Sequence, residues 1–163
     1  MKRLSLLRHA QADNPLPDQP DWDRPLTKRG LLDALEMARR MKAQRRRPEL
    51  ILSSPATRTR QTTEALIKYF SNAKLLFVEE LYLTDSKQML TAIQEYGGSA
   101  KHLLVVAHNP GITELADLLS QERSIDAMPT AAIVTAEFDL HAWQDLLPAT
   151  GIHVEFDYPQ RPA

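Results

Sequence analysis

Apolar residues along this chain fall into short unbroken blocks, with longer stretches of helical periodicity between them. Four blocks predict buried strands: Arg3–Leu7, Leu50–Ser53, Leu75–Glu79 and Leu103–Ala107. Each is short and stops at polar or turn residues, the pattern of a strand covered on both faces. Two later blocks, Ile133–Phe138 and Ile152–Tyr158, predict further strands whose direction the pattern leaves open. Between the blocks, Leu31, Leu35 and Ala38 recur at helical spacing behind Thr27, which is placed to cap the helix. That helix is predicted to end in Arg45-Arg46-Arg47, before Pro48. Further helices are predicted over Thr57–Tyr69 and Lys87–Tyr96, and a fourth after Pro110 carries Ile112, Leu115, Ala116 and Leu119. Strands alternating with helices imply an α/β fold, a three-layer α/β/α sandwich around a mainly parallel sheet. Ligands of such sheets sit at the carboxyl ends of the strands.

Composition narrows the class. A chain of 163 residues, 43% hydrophobic and 25% charged, fits one globular domain over 1–163 with a real core and a frayed tail at 159–163. The absence of cysteine excludes disulfides, thiolate metal sites and cysteine nucleophiles. A formal net charge of −1 gives no global pull toward nucleic acid or an anionic membrane. Arg8 and His9 interrupt the first apolar block too early for a signal peptide, and the longest apolar run, Leu103–Ala107, has five residues. A cytoplasmic location is therefore the default expectation. The cluster Arg39, Arg40, Lys42, Arg45, Arg46 and Arg47 reads as a solvated helix face complementing the helix dipole. A nucleic-acid reading is weaker, because no aromatics are interleaved.

Chemistry collects at the predicted strand ends. The first ends in Arg8-His9, the second in Ser53-Ser54-Pro55 with Arg58 one helical turn on, and the fourth in His108-Asn109-Pro110. In a parallel sheet, two histidines and two arginines from distant sequence converge on one edge. Arginine stays charged and its planar fork suits phosphate oxygens, while histidine is a neutral nucleophile near pH 7. Together they describe a cationic cup for a tetrahedral oxyanion. A metal reading fails: His102 and His108 would lie roughly 20 Å apart on an extended strand, and arginine companions disfavour a cation.

These motifs resemble those of the histidine phosphatase superfamily, also called phosphoglycerate mutase-like. Leu7-Arg8-His9-Ala10 stands where the family has Arg-His-Gly. Ser53-Ser54-Pro55-Ala56-Thr57-Arg58-Thr59-Arg60-Gln61-Thr62 resembles Ser-Pro-x-x-Arg-x-x-Gln-Thr, and Val106-Ala107-His108-Asn109-Pro110 resembles the second-histidine motif. Asp23-Arg24-Pro25-Leu26-Thr27-x-x-Gly30 is a softer match. The short chain, the Arg-His-Ala variant and the His-Asn-Pro turn resemble the SixA-like phosphohistidine phosphatases. The resemblance implies that His9 attacks phosphorus as a neutral imidazole and becomes phosphohistidine. It implies that Arg8 and Arg58 hold nonbridging oxygens, that His108 donates a hydrogen bond as a cation, and that the backbone near Asn109 adds N–H donors. No metal or cofactor is implied. The partner is a phosphorylated protein, such as a histidine-phosphotransfer domain, or a small phosphorylated molecule.

Two departures matter. Many relatives place an acid after the third strand, where Leu83 stands here; Glu79, Glu80, Asp85 and Asp13 are nearby without fitting the pattern. A site lacking a general acid favours leaving groups that need no proton, such as imidazole or aryl oxide, over sugar alcohols. The phosphate-binding asparagine of mutase-like relatives corresponds to Pro15, so Asn14 is not assigned. Gln11–Pro25, with four prolines, reads as an ordered rim loop. His102, His141 and His153 are expected at the surface or strand edges, and Arg60 solvated or paired with an acid. Thr130 is either a pocket residue or a turn-former; Trp22 and Trp143 could be rim or core. The alternatives to a phosphohistidine phosphatase are a sugar or nucleotide phosphatase and a phosphate-binding module without turnover.

Overall fold

In a computed structural model that describes residues 1–162, six strands form one sheet in the order β3-β2-β4-β1-β5-β6. These are β1 (Lys2–Arg8), β2 (Leu50–Ser53), β3 (Lys74–Phe77), β4 (His102–Ala107), β5 (Ile133–Phe138) and β6 (Ile152–Asp157). The first four run parallel; β5 pairs antiparallel with β1, and β6 pairs antiparallel with β5 at the sheet edge. The direction that the apolar pattern left open is thus reversed for β5 alone, with β6 returning in the direction of β1.

Alternation within the continuous apolar runs sends side chains to two cores. Leu4, Leu6, Leu52, Leu103 and Val105 pack with Met89, Ile93, Ile112 and Leu115, whereas Leu7, Ile51, Leu104 and Val106 pack with Met37, Met41, Ala65 and Leu66. Helices α1 (Lys28–Ala43) and α2 (Thr57–Tyr69) therefore cover one face, and α3 (Ser86–Tyr96) and α4 (Gly111–Leu119) cover the other. This is the three-layer sandwich that the alternation of elements predicts. Among the described residues no helix is long and apolar enough to cross a membrane.

Local signals act where the sequence puts them. Thr27 Oγ1 caps α1 by accepting from the Gly30 N–H at 2.9 Å. The helix stops at Ala43, before the arginine triplet, because Arg45 turns left-handed (φ 59°) and the Arg46 N–H closes back on the Met41 carbonyl at 2.9 Å. Asp85, not anticipated as a cap, accepts from the Gln88 N–H and starts α3.

Two expectations are corrected. His102 is 5% exposed; its Nε2 meets Ser5 Oγ at 2.7 Å, because parallel pairing sets Arg3 opposite His102 in the sheet interior. His141 and His153 do lie exposed. The basic cluster is only partly a solvated face. Arg40 is buried, pairs with Glu36 and Asp157, and donates to the carbonyls of Tyr158, Pro159 and Arg161. Arg46 pairs with Glu155. Arg40 thereby links Pro159 and Arg161, in the tail expected to fray, to α1, and Ala163 of that tail lies outside the described residues. Trp143 is a core residue, with its indole N–H on the Ala100 carbonyl.

Candidate active site

Register assembles the site. Arg8 of β1 stands opposite Ala107 of β4, and Ser53 of β2 opposite Val106, so the residues that follow (His9, His108 and Ser54) emerge on one carboxyl edge. The two imidazole centroids are 5.3 Å apart. Arg58, on the first turn of α2, is 3% exposed and reaches the same edge. The residues that the sequence singles out are brought together: Arg8, His9, Arg58 and His108.

His9 is oriented by its neighbours. Its Nδ1 lies 2.7 Å from the Ala10 carbonyl. A carbonyl only accepts, so Nδ1 carries the proton and Nε2 holds a free lone pair. The Ala10 N–H donates to Thr62 Oγ1 at 3.1 Å, and Thr62 in turn donates to the Arg58 carbonyl. Burial, aided by the charges of Arg58 and Arg8, lowers the His9 pKa to about 4, so the ring is neutral at pH 7.

His108 meets Ser54 Oγ through Nε2 at 2.7 Å. Burial, then the proximity of His9 and Arg58, pushes its pKa down to about 3. In the protein by itself the desolvated, already cationic edge thus favours the neutral ring; the cationic His108 is expected only beside a bound phosphoryl group.

The arginines are held from outside the cup. Arg58 donates Nη1 to the Asp21 carbonyl and Nη2 to Asp21 Oδ2, both at 2.9 Å. Arg8 donates Nη1 to the Met128 carbonyl at 3.0 Å. Three buried nitrogens of the cup have no hydrogen-bond partner among the described residues: Arg8 Nε, Arg58 Nε and His108 Nδ1. Buried N–H donors left unpaired are costly; both arginine Nε–H groups are such donors, and His108 Nδ1 is a third when Ser54 Oγ donates to Nε2, so this edge suits an anion. No group of three His, Asp or Glu side chains among the described residues could hold a metal ion.

A role is expected only of the Asn109 backbone, yet its side chain is engaged as well. Its amide donates to the Met128 carbonyl at 3.2 Å and accepts from Thr113 Oγ1 at 2.6 Å. It therefore shares Met128 with Arg8 and secures the loop; only its backbone is left for an anion. Thr130 directly precedes the residue that closes this edge. The Ala131 N–H, at a left-handed φ of 62°, donates to the carbonyls of Arg8 and His9. Arg60 is exposed, donates to the Pro55 carbonyl and lies 4.1 Å from the Phe77 ring centroid, with no acid partner among the described residues.

No carboxylate considered as a proton donor takes that place. Glu79, Glu80 and Asp13 are exposed, and Asp85 is spent on its cap. Leu83 is exposed on a left-handed backbone, φ 48°. The carboxylate bonded into the cup is Asp21, on the one-turn helix Asp21–Asp23, where it also receives Arg24 Nη1 at 3.0 Å and the Tyr82 hydroxyl at 2.6 Å. Partial burial opposes ionisation, but the bonds from Tyr82, Arg24 and Arg58 win and hold Asp21 well below the usual carboxylate range. Asp21 and Tyr82 were invisible to motif reading; the available hint was a carboxylate three residues before Arg24. The rim loop is ordered as expected: Asp13 N–H donates to the Pro25 carbonyl, Arg24 Nε to the Asp13 carbonyl, and Leu26 N–H to Gln61 Oε1.

Comparison with known proteins agrees with this geometry. Residues 4–82 match the family model of the histidine phosphatase superfamily, branch 1. An uncharacterized chloroplastic protein of Arabidopsis thaliana is 34% identical over 73% of this chain, which spans only 59% of that relative's length. An uncharacterized protein of Mycobacterium tuberculosis is 30% identical over 94% of this chain and 100% of its own. Among solved structures, a candidate SixA phosphohistidine phosphatase of Agrobacterium tumefaciens superposes with a TM-score of 0.77 at 29% identity, over 84% of this chain and 92% of that one. Another, from Nakamurella multipartitia, gives 0.84 at 25% identity over 98% and 96%.

Proposed function

From the premise that this chain belongs to the histidine phosphatase superfamily, branch 1, we propose that it hydrolyses a phosphoryl group, from phosphohistidine on a protein, through a phosphoenzyme on His9. The observation that carries this reading is the cup itself: three unpartnered buried nitrogens on Arg8, Arg58 and His108 beside a neutral His9 with Nε2 free.

In the proposed reaction, His9 Nε2 forms a bond to phosphorus while the bond to the leaving group breaks. Arg8 and Arg58 balance the charge on the nonbridging oxygens, the electrostatic work that dominates phosphoryl transfer. The phosphoryl dianion beside His108 raises the affinity of that ring for a proton, so His108 donates from Nδ1 with Ser54 behind it. Water then attacks phosphorus, the P–N bond to His9 breaks, and phosphate leaves with the water's oxygen. The leaving group decides the substrate. Asp21 is held ionised and serves Arg58, so an alkoxide would depart without a proton donor. An imidazole protonated on its other nitrogen departs as a neutral molecule, because its conjugate acid has a pKa near 6.5. The likeness to SixA structures supports a phosphoprotein partner.

The test is hydrolysis of p-nitrophenyl phosphate and a phosphohistidine peptide, with EDTA present, by wild type and His9→Ala. Turnover that survives EDTA and vanishes in His9→Ala is expected, with 3-phosphoglycerate far slower than either. Comparable rates on 3-phosphoglycerate would defeat the leaving-group argument, and turnover by His9→Ala would defeat the nucleophile.

A further inference from the structure

The floor of the cup is buried, and what rises from it on one side is aromatic. The Tyr82 ring meets His108 edge-on at 5.5 Å between centroids, and Trp22 meets Tyr82 edge-on at 4.7 Å. Trp22 and Tyr82 are both only half-buried, unlike His9, Arg58 and His108 below them. The wall is anchored to the phosphoryl-binding floor by its own polar end, since the Tyr82 hydroxyl donates to Asp21 Oδ2, the oxygen that also receives Arg58 Nη2. Trp22 is the next residue after Asp21, so the same bonds fix its backbone.

A nearby leucine has no role in the core to explain it. Leu83 follows Tyr82 with a left-handed backbone and a side chain 53% exposed. A bulky apolar residue held in that conformation beside a site is strain that packing does not account for.

In-line displacement puts the leaving group opposite His9 Nε2. His9 lies on the buried floor, so the leaving group stands at the mouth, where the half-buried aromatic wall is. We propose that Trp22 and Tyr82 form a specificity surface that packs against a planar ring attached directly to the phosphoryl group, selecting ring-borne over aliphatic phosphoryl donors. This deepens the phosphatase reading and rests on its placement of the phosphoryl group, but ring selection at the mouth does not require turnover.

The experiment separates the two. Phenylphosphonate and methylphosphonate carry the same non-hydrolysable head with and without a ring. Their dissociation constants are measured by calorimetry on wild type, Trp22→Ala and Trp22→Leu, beside turnover of p-nitrophenyl phosphate by wild type. Wild type is expected to prefer the phenyl compound about tenfold, the size of one good aromatic contact. Trp22→Ala should bring the preference to about twofold, with Trp22→Leu between, since leucine restores bulk without a ring face. Equal affinities in wild type would overturn the proposal. So would a preference unchanged in both variants, or a loss shared equally by the two ligands, which would make Trp22 only a brace for the rim loop. Ring preference without turnover would leave the wall standing and strike the phosphatase reading.

Discussion

At the scale of single residues, the site works by desolvation and by borrowed partners. Arg58 is usable because Asp21 takes both of its Nη atoms and leaves Nε for the ligand. Asp21→Asn should therefore lower kcat/KM for p-nitrophenyl phosphate by about 10- to 100-fold, the worth of one charge-assisted hydrogen bond. Thermal stability should change little, because the Asp21 side chain is 40% exposed. A collapse of stability instead would make Asp21 a folding residue. His9 gives a second signature. A base with a pKa near 4 rather than 6.5 stays neutral through mild acid, so the enzyme limb of the kcat/KM profile should fall near pH 4. A limb at 6.5 would mean that His9 is solvated in solution.

At the scale of elements, what matters is how closely backbones approach. A Cβ on Gly30 would stand 2.1 Å from the Gln11 carbonyl oxygen, and one on Gly111 would stand 2.2 Å from that of Thr84. The start of α1 thus lies against the rim loop, and the start of α4 against the segment carrying Tyr82 and Leu83. Gly111→Ala should displace that segment and lower activity at least tenfold, a clash with backbone being one of the few routes to a large single-site effect. Normal kinetics in a folded Gly111→Ala would show that the segment gives way freely. Arg40 is a contrasting case, joining α1 to the chain end far from the chemistry. Arg40→Met should cost about 2 kcal/mol by loss of charged hydrogen bonds, read as a shift in denaturation midpoint, with KM unchanged.

For the whole molecule, the histidines make stability depend on pH. His9, His102 and His108 are buried and neutral, with pKa values lowered to about 4, 4 and 3. Unfolding restores each toward 6.5, so below that pH the unfolded chain binds more protons than the native one. Stability is full above about pH 6.5 and is lost as pH falls toward 4, each ring contributing a slope of up to ~1.4 kcal/mol per unit. His102→Asn should flatten that slope without touching catalysis at neutral pH, whereas a pH-independent unfolding midpoint between 6.5 and 4 would refute the buried-neutral state. His102 also shows where sequence reading reaches its limit. A histidine at the start of an apolar strand looks like an edge residue, and only the pairing of β4 between β1 and β2 places it inside, with its Nε2 on Ser5 Oγ, which in turn meets Thr135 Oγ1.

Sequence alone determined the elements, because periodicity and capping are local, and it determined the four side chains of the cup. Arg8, His9, Arg58 and His108 sit at the ends of strands or in the first turn of a helix, and parallel sheets present those ends together. Only tertiary structure decided what those side chains are. Burial makes His108 neutral, Asp21 and Tyr82 arrive from loops with no periodic signal, and Asn109 is consumed in holding Met128. Strand direction at β5 and β6 was likewise decided by the sheet. An apolar strand reads the same in either direction, and hydrogen bonding of β5 to β1 and of β6 to β5 makes the choice.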